Sequence, residues 1–412
     1  MDVRDFDFDL PTELIAQVPA GERTAARLLH LDRQTGSIAH ATIASLCDRL
    51  RAGDLLVVNN TRVFPARLLG RRLPGGGAVE CVLVRRLGSD RGRSGVGPGS
   101  DWGRGRSGVG PGSDWGRAGV GLGSELKSEP KSGLRSELTS GPGSKPEAGT
   151  EVDAEIWEAL VHPGQKLHPG ARMVFEGVRT VHCDVLEQRF FGRRVVRLWT
   201  ADGTPVDTAV DAIGHIPLPP YIKRADAAED RDRYQTVYAR DRGSIAAPTA
   251  GLHFTPSLMS SLADRGVQLA EITLHVGYGT FQPVRVDRVE DHRLEAEPFT
   301  IGDAAATAIN TALDERRRVL AVGTTTTRTL EAVALTHNGR IASGSGTTDL
   351  FIYPGFAFSV ISGLLTNFHL PQSSLLMLVS AFAGRDRVLA AYRAAIAARY
   401  RFYSYGDAML IT

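Results

Sequence analysis

The sequence predicts an α/β body interrupted by a small antiparallel sheet or barrel, and three observations predict it. Strands and helices alternate in the second half. Residues 267–274 and 318–322 are short apolar runs, while residues 257–265, 303–317, 329–336 and 385–401 carry a helical period. Earlier, the runs 66–70, 78–84, 156–161, 172–175, 181–186 and 194–199 are short, β-branched and separated by Gly, Pro and Asp turns. Those runs are split by residues 88–150, which are dominated by Gly, Ser and Pro and contain RSGVGPGSDWGR twice, from Arg93 and from Arg106. Such a composition buries too little apolar surface to offset the entropy of ordering. It is expected to be a long disordered loop within the barrel. Trp102 and Trp115 lie near arginines and raise an RNA-touching alternative, but interleaved acidic residues offset the charge.

A chain of 412 residues suggests more than one folded domain. The net charge of +2 excludes a histone-like binder but not an enzyme with a local basic patch. Cys47, Cys81 and Cys183 are far apart, with no Cys-x-x-Cys pair, so neither a disulfide framework nor a cysteine zinc site is expected. The acidic start MDVRDFDFDLP lacks the apolar core of a signal peptide. The most apolar run, 375–383, is far short of the ~20 residues of a membrane span. A soluble cytoplasmic protein is the expectation, with no membrane partner.

In chain order, the apolar run 55–58 enters the polar loop Asn59-Asn60-Thr61-Arg62. The segment 213–224 is proline-dense and extended, and its Lys223 and Arg224 are candidate RNA-backbone contacts, with a solvated loop as the rival reading. Residues 243–256 crowd small residues around Thr249 and Gly251 and end with His253 before a helix that Thr255 caps and Pro256 opens. Residues 274–284 follow a strand, with Gly277 and Gly279 freeing the backbone and His275, Tyr278, Thr280 and Gln282 offering polar groups. In 323–328, four threonines open a helix after a strand, an arrangement suited to a carboxylate or phosphate; a generously capped helix is the alternative. Tyr353, Asn367 and His369 stand singly among apolar neighbours in 349–356 and 365–371. An asparagine and an aromatic ring can recognise and stack on a purine.

Taken together, GDLLVVNNTRVFPARL, IGHIPLPPYI, YQTVYA, APTAGLHF, TLHVGYGTFQPV, EDHRLE, AVGTTTTR, IYPGF, TNFHLP, LLMLVSAFAG and YRFYSYGDAMLI resemble the signature segments of the S-adenosylmethionine:tRNA ribosyltransferase-isomerase family of queuosine biosynthesis. The resemblance covers nearly the whole chain in the same order, apart from the Gly/Ser segment. It implies a monomer with an α/β body (1–65 and 213–412) and an inserted β-barrel domain (66–212). It also implies transfer and isomerisation of the ribosyl part of S-adenosylmethionine onto 7-aminomethyl-7-deazaguanine at the tRNA wobble position, releasing adenine and methionine. S-adenosylmethionine is then a consumed co-substrate, and neither a cofactor nor a metal is expected.

For that chemistry His253, His275 and His369 are the candidate acids and bases. Thr324, Thr325 and Arg328 are candidates for the methionine carboxylate. Asn60, Thr249, Gly251, Gly277, Gly279, Tyr353 and Asn367 complete the expected substrate contacts, and Arg62, Arg67, Lys223 and Arg224 the tRNA contacts. An ordinary methyltransferase would need a Gly-rich loop after its first strand and an acidic ribose anchor, and no convincing pair occurs. An RNA-binding module explains Lys223 and Arg224 but gives the polar loops no purpose.

Overall fold

The computed structural model describes residues 1–90, 153–277, 279 and 284–412. The expected disordered loop lies outside the described residues except for Gly88–Asp90, which continue the strand Ala78–Asp90. Tyr278, Thr280 and Gln282 also lie outside them.

Among the described residues nine strands form one mixed sheet. Its order is Gly344–Thr348, Glu297–Ile301, Gln268–Leu274, Leu55–Asn59, Val319–Val322, Gly363–Asn367, Ala408–Ile411, Arg27–Leu31 and Ile38–Thr42. The neighbours Gln268–Leu274, Leu55–Asn59, Val319–Val322 and Gly363–Asn367 are mutually parallel. Their registers pair Leu269 with Leu56 and Leu56 with Leu320. Parallel strands need helical cover on both faces, which explains why all five residues of Leu55–Asn59 are buried. Leu55 and Val57 face a core containing Ile309, Leu330, Met377 and Tyr392. Leu56 and Val58 face an opposite core containing Phe254, Leu258 and Leu262. Strand alternation thus sends successive side chains into two helix-covered layers.

Helices Pro256–Asp264, Asp303–Asp314 and Arg385–Ala397 match the periodic segments, and Thr255 caps the first by accepting from the Leu258 amide. The helix Thr324–Thr336 begins before its apolar period does. The Thr326, Thr327 and Thr329 hydroxyls donate to carbonyls four residues earlier, so polar residues are buried where the sequence shows no apolar stripe. The apolar run 375–383 lies in the helix Ser374–Ala383, and no helix among the described residues is long and apolar enough to cross a membrane.

Six further strands close a barrel in the order Arg193–Trp199, Ala154–His162, Ala78–Asp90, Arg67–Leu73, Arg172–Glu176 and Thr180–Gln188, each pairing antiparallel. Its core gathers Leu68, Cys81, Trp157, Phe175, Cys183 and Val196, with Val206 and Val210 of the helix Val206–Ile213 packed in the same cluster. All three cysteines are buried and free.

Candidate functional site

Because the four central strands run parallel, their C-terminal ends share one edge of the sheet, where α/β proteins place ligands. Asn59, Leu274, Val322 and Asn367 end there, so the segments 60–62, 275–277, 323–325 and 368–373 emerge together. Asn59 locks two of them. Its Nδ2 donates to the Leu274 carbonyl at 2.9 Å, and its Oδ1 accepts from the Leu274 and Thr61 amides at 3.0 and 3.1 Å.

The larger cavity, about 760 Å³, lies between barrel and sheet. The barrel contributes Arg85, Trp157, Glu158 and Arg193, and the body contributes Arg242, His275, Gly277, Gly279, Glu297 and Arg328. His275 is fixed by a 2.8 Å contact between Nδ1 and the Thr61 hydroxyl. That hydroxyl has an acceptor of its own in the Asp241 carbonyl, 3.4 Å away. With the hydroxyl turned to that carbonyl, Nδ1 carries the hydrogen and Nε2 is an unprotonated acceptor; with it turned to Nδ1, the tautomer is reversed. Desolvation lowers the His275 pKa from 6.5, against the opposing pull of Asp241. Gly243 covers the imidazole; a methyl group there would stand 2.7 Å from the ring.

Below His275, the Thr273 hydroxyl lies 2.7 Å from both Asn60 Oδ1 and Asp241 Oδ2. Asn60 is buried and supports the histidine loop without lining either cavity. Glu297 accepts from the Gly277 amide at 2.8 Å and from the Arg328 guanidinium at 2.6 Å. Arg328 also donates to the Leu350 carbonyl at 2.9 Å and is buried.

The smaller cavity, about 180 Å³, is lined by Thr249, Thr324, Thr325, Thr366, Asn367, His369, Tyr221, Tyr403 and apolar neighbours. Val276 borders both cavities. The Thr249 hydroxyl donates to Asn367 Oδ1 at 3.0 Å. Asn367 Nδ2 lies 3.3 Å from His253 Nε2 and 3.2 Å from the Tyr403 carbonyl. Asn367 thus ties three chain segments together, which limits the purine reading expected of it. His369 Nε2 meets the Thr366 hydroxyl at 2.8 Å, and burial lowers its pKa to about 3. His253 sits behind Asn367 in a separate small hollow, and burial lowers its pKa to about 4. Of the three histidines, only His275 and His369 border the two main cavities.

The structure separates two other expected groupings. Thr324 and Thr325 line the smaller cavity but Arg328 lines the larger, so a single carboxylate clamp from all three is not formed. Gly251 packs beneath Tyr238, where a Cβ would stand 2.2 Å from the phenol oxygen, and Tyr353 packs on Phe351; neither lines the two cavities. Among the basic candidates, Arg62 and Lys223 are exposed. Arg67 is held by Glu80 at 2.8 Å, and Arg224 by buried Asp230 at 2.6 Å. Glu297 and Arg193 escaped the sequence reading. Only the Glu-x-Glu at 295–297, next to the EDHRLE segment, hinted at one of them.

A family model described as queuosine biosynthesis protein matches residues 3–110 and 125–411. The chain is 45% identical over 412 residues to the S-adenosylmethionine:tRNA ribosyltransferase-isomerase of Heliobacterium modesticaldum, covering 100% of both chains. It is 46% identical to the protein of that name from Nitratidesulfovibrio vulgaris, covering 98% of this chain and 96% of the relative. With the Desulfitobacterium hafniense protein of the same name the identity is 42%, with 100% of both chains covered.

Proposed function

Since this chain belongs to the queuosine biosynthesis family of S-adenosylmethionine:tRNA ribosyltransferase-isomerases, we propose that its two adjoining cavities hold the two substrates of that reaction, with His275 between them. The activity is transfer and isomerisation of the ribosyl moiety of S-adenosylmethionine onto 7-aminomethyl-7-deazaguanine at the tRNA wobble position, giving epoxyqueuosine-tRNA, adenine and methionine. S-adenosylmethionine is consumed as a co-substrate.

The observation that carries the proposal is the position of His275 beside Val276, the residue common to both cavities. The sulfonium of S-adenosylmethionine acidifies the adjacent ribose 5′ C–H. A neutral imidazole is suited to take that proton at Nε2 when the Thr61 hydroxyl accepts from Nδ1–H. The paired charges of the larger cavity, among them Arg328 with Glu297 and Arg193 with Glu158, suit the zwitterionic methionyl group and the precursor's aminomethyl group. His369 acts as a neutral wall, and His253 as a support for Asn367. The exposed Arg62 and Lys223 are the tRNA phosphate contacts, while Arg67 and Arg224 shape the surface through their carboxylate partners.

The test is to incubate the enzyme with S-adenosylmethionine and precursor-bearing tRNA and to identify the small products. Free adenine is expected. S-adenosylhomocysteine would instead identify a methyltransferase, and the absence of both would leave an RNA-binding protein.

A further inference from the structure

The smaller cavity differs from the larger in a way that bears on which part of the substrate it takes. No Asp, Glu, Lys or Arg among the described residues lines it. Its wall is apolar at Ala247, Pro248, Val276, Leu370 and Leu375, and aromatic at Tyr221 and Tyr403, whose rings lie 4.7 Å apart. The helix Thr324–Thr336 starts at this wall with Gly323 as its N-cap, and no side chain caps its first turn. Its first amides are therefore directed at whatever occupies the cavity. Two hydroxyls there have no hydrogen-bond partner among the described residues, those of Thr325 and Tyr403, although both residues are more than nine-tenths buried. Buried hydroxyls are ordinarily hydrogen-bonded, and a ligand in this cavity would give these two their partners. Thr326, Thr327 and Thr329 all donate back to the chain, so the free Thr325 hydroxyl is not a general property of this threonine run. Tyr403 also holds a left-handed backbone, φ 72°, fixed by its amide donating to the Phe368 carbonyl at 3.0 Å and its carbonyl accepting from Asn367.

We propose that this cavity is the adenine subsite, in which the Thr325 and Tyr403 hydroxyls and the first amides of the helix meet the ring nitrogens of the purine. The proposal rests on the reaction given above, in which adenine is the base of S-adenosylmethionine and a released product. A methionyl group is a poorer fit, because it carries both charges and this wall offers no ionised partner. At about 180 Å³ the cavity is also smaller than the roughly 300 Å³ at which pockets begin to take a whole drug-sized ligand. It therefore takes a fragment, and the neutral, flat, acceptor-rich fragment of S-adenosylmethionine is its base.

The experiment is calorimetric titration of adenine, and separately of methionine, into the full-length enzyme and into Thr325→Val, Thr325→Ser and Tyr403→Phe, with thermal unfolding as the control for folding. Adenine should bind the wild type and Thr325→Ser alike, and bind Thr325→Val and Tyr403→Phe roughly two- to tenfold more weakly. The assignment is overturned if adenine does not bind, if it ignores both substitutions, or if methionine loses affinity in its place. Adenine release from S-adenosylmethionine in the presence of precursor tRNA is measured alongside. An enzyme that releases adenine but ignores these substitutions keeps its reaction and loses this subsite. One that binds adenine through these hydroxyls but releases none keeps the subsite and loses the reaction.

Discussion

His275 Nδ1 stands 2.8 Å from the Thr61 hydroxyl, and this contact joins the ends of two adjacent parallel strands at the mouth of the larger cavity. It holds the imidazole in place and ties its tautomer to the direction in which the Thr61 hydroxyl points.

Replacing His275 by Ala removes the proposed base and should lower single-turnover adenine release by about 10²–10⁴-fold. Thr61→Val leaves the ring but removes the hydroxyl that Nδ1 contacts. It should lower kcat by a smaller factor with KM little changed, and Thr61→Ser should restore it. As the proposed base the ring must be neutral, and its pKa is lowered from 6.5, so kcat should be flat above pH 6.5 and fall only below it. A His275→Ala enzyme releasing adenine at the wild-type rate would remove this residue from the mechanism.

Gly243→Ala tests the same ring from its other side. The added methyl would stand 2.7 Å from the imidazole, so the ring must move. A displacement near 1 Å can reduce a rate by about 10²-fold. Adenine release should fall while the far-ultraviolet circular dichroism spectrum stays that of the wild type.

Arg328 and Glu297 form a buried pair at 2.6 Å. Arg328→Met leaves a buried carboxylate without its guanidinium and should destabilise the fold by about 3–5 kcal/mol. The double variant Arg328→Met, Glu297→Gln should recover part of that loss. Urea unfolding of the four members of the cycle gives the coupling.

Arg62 and Lys223 are the exposed members of the proposed tRNA set, and Arg67 and Arg224 the paired ones. Charge reversal at Arg62 and Lys223 should weaken tRNA binding and flatten its salt dependence without changing the melting temperature. Arg224→Met should act on stability. Burial by itself would raise the Asp230 carboxyl, but Arg224, the Ala227 amide and Tyr405 together hold it below 3.8. A depressed carboxyl stabilises the fold above its unfolded pKa and loses that contribution on acidification. The stability difference between wild type and Arg224→Met should therefore narrow as pH falls below about 3.8.

His369 and His253 provide a second pH test. Burial lowers their pKa values from 6.5 to about 3 and about 4. The unfolded chain then binds protons that the folded chain refuses, so stability is complete above pH 6.5 and declines as pH falls toward 4. His369→Gln should show a shallower decline of melting temperature over that window.

The sequence by itself determined the alternation of strands and helices, the short strands that close into a barrel, and the polar segments that follow the strands. These follow from local periodicity and turn chemistry, which each short stretch carries in itself. The ordered signature segments also determined the family. Only the tertiary structure decided which polar residues meet. The Thr61–His275 contact spans 214 positions, Thr249 to Asn367 spans 118, and Arg328 to Glu297 spans 31. None of these partners is marked in the stretch around the other. The same is true of the four threonines after Gly323. Their composition suggested one anion clamp, but helical rotation directs Thr324 and Thr325 to one cavity, turns Thr326 and Thr327 back onto the chain, and sends Arg328 to the other cavity. A run of similar residues specifies a helix start, whereas the division of its side chains between two cavities depends on the strands and loops packed around it.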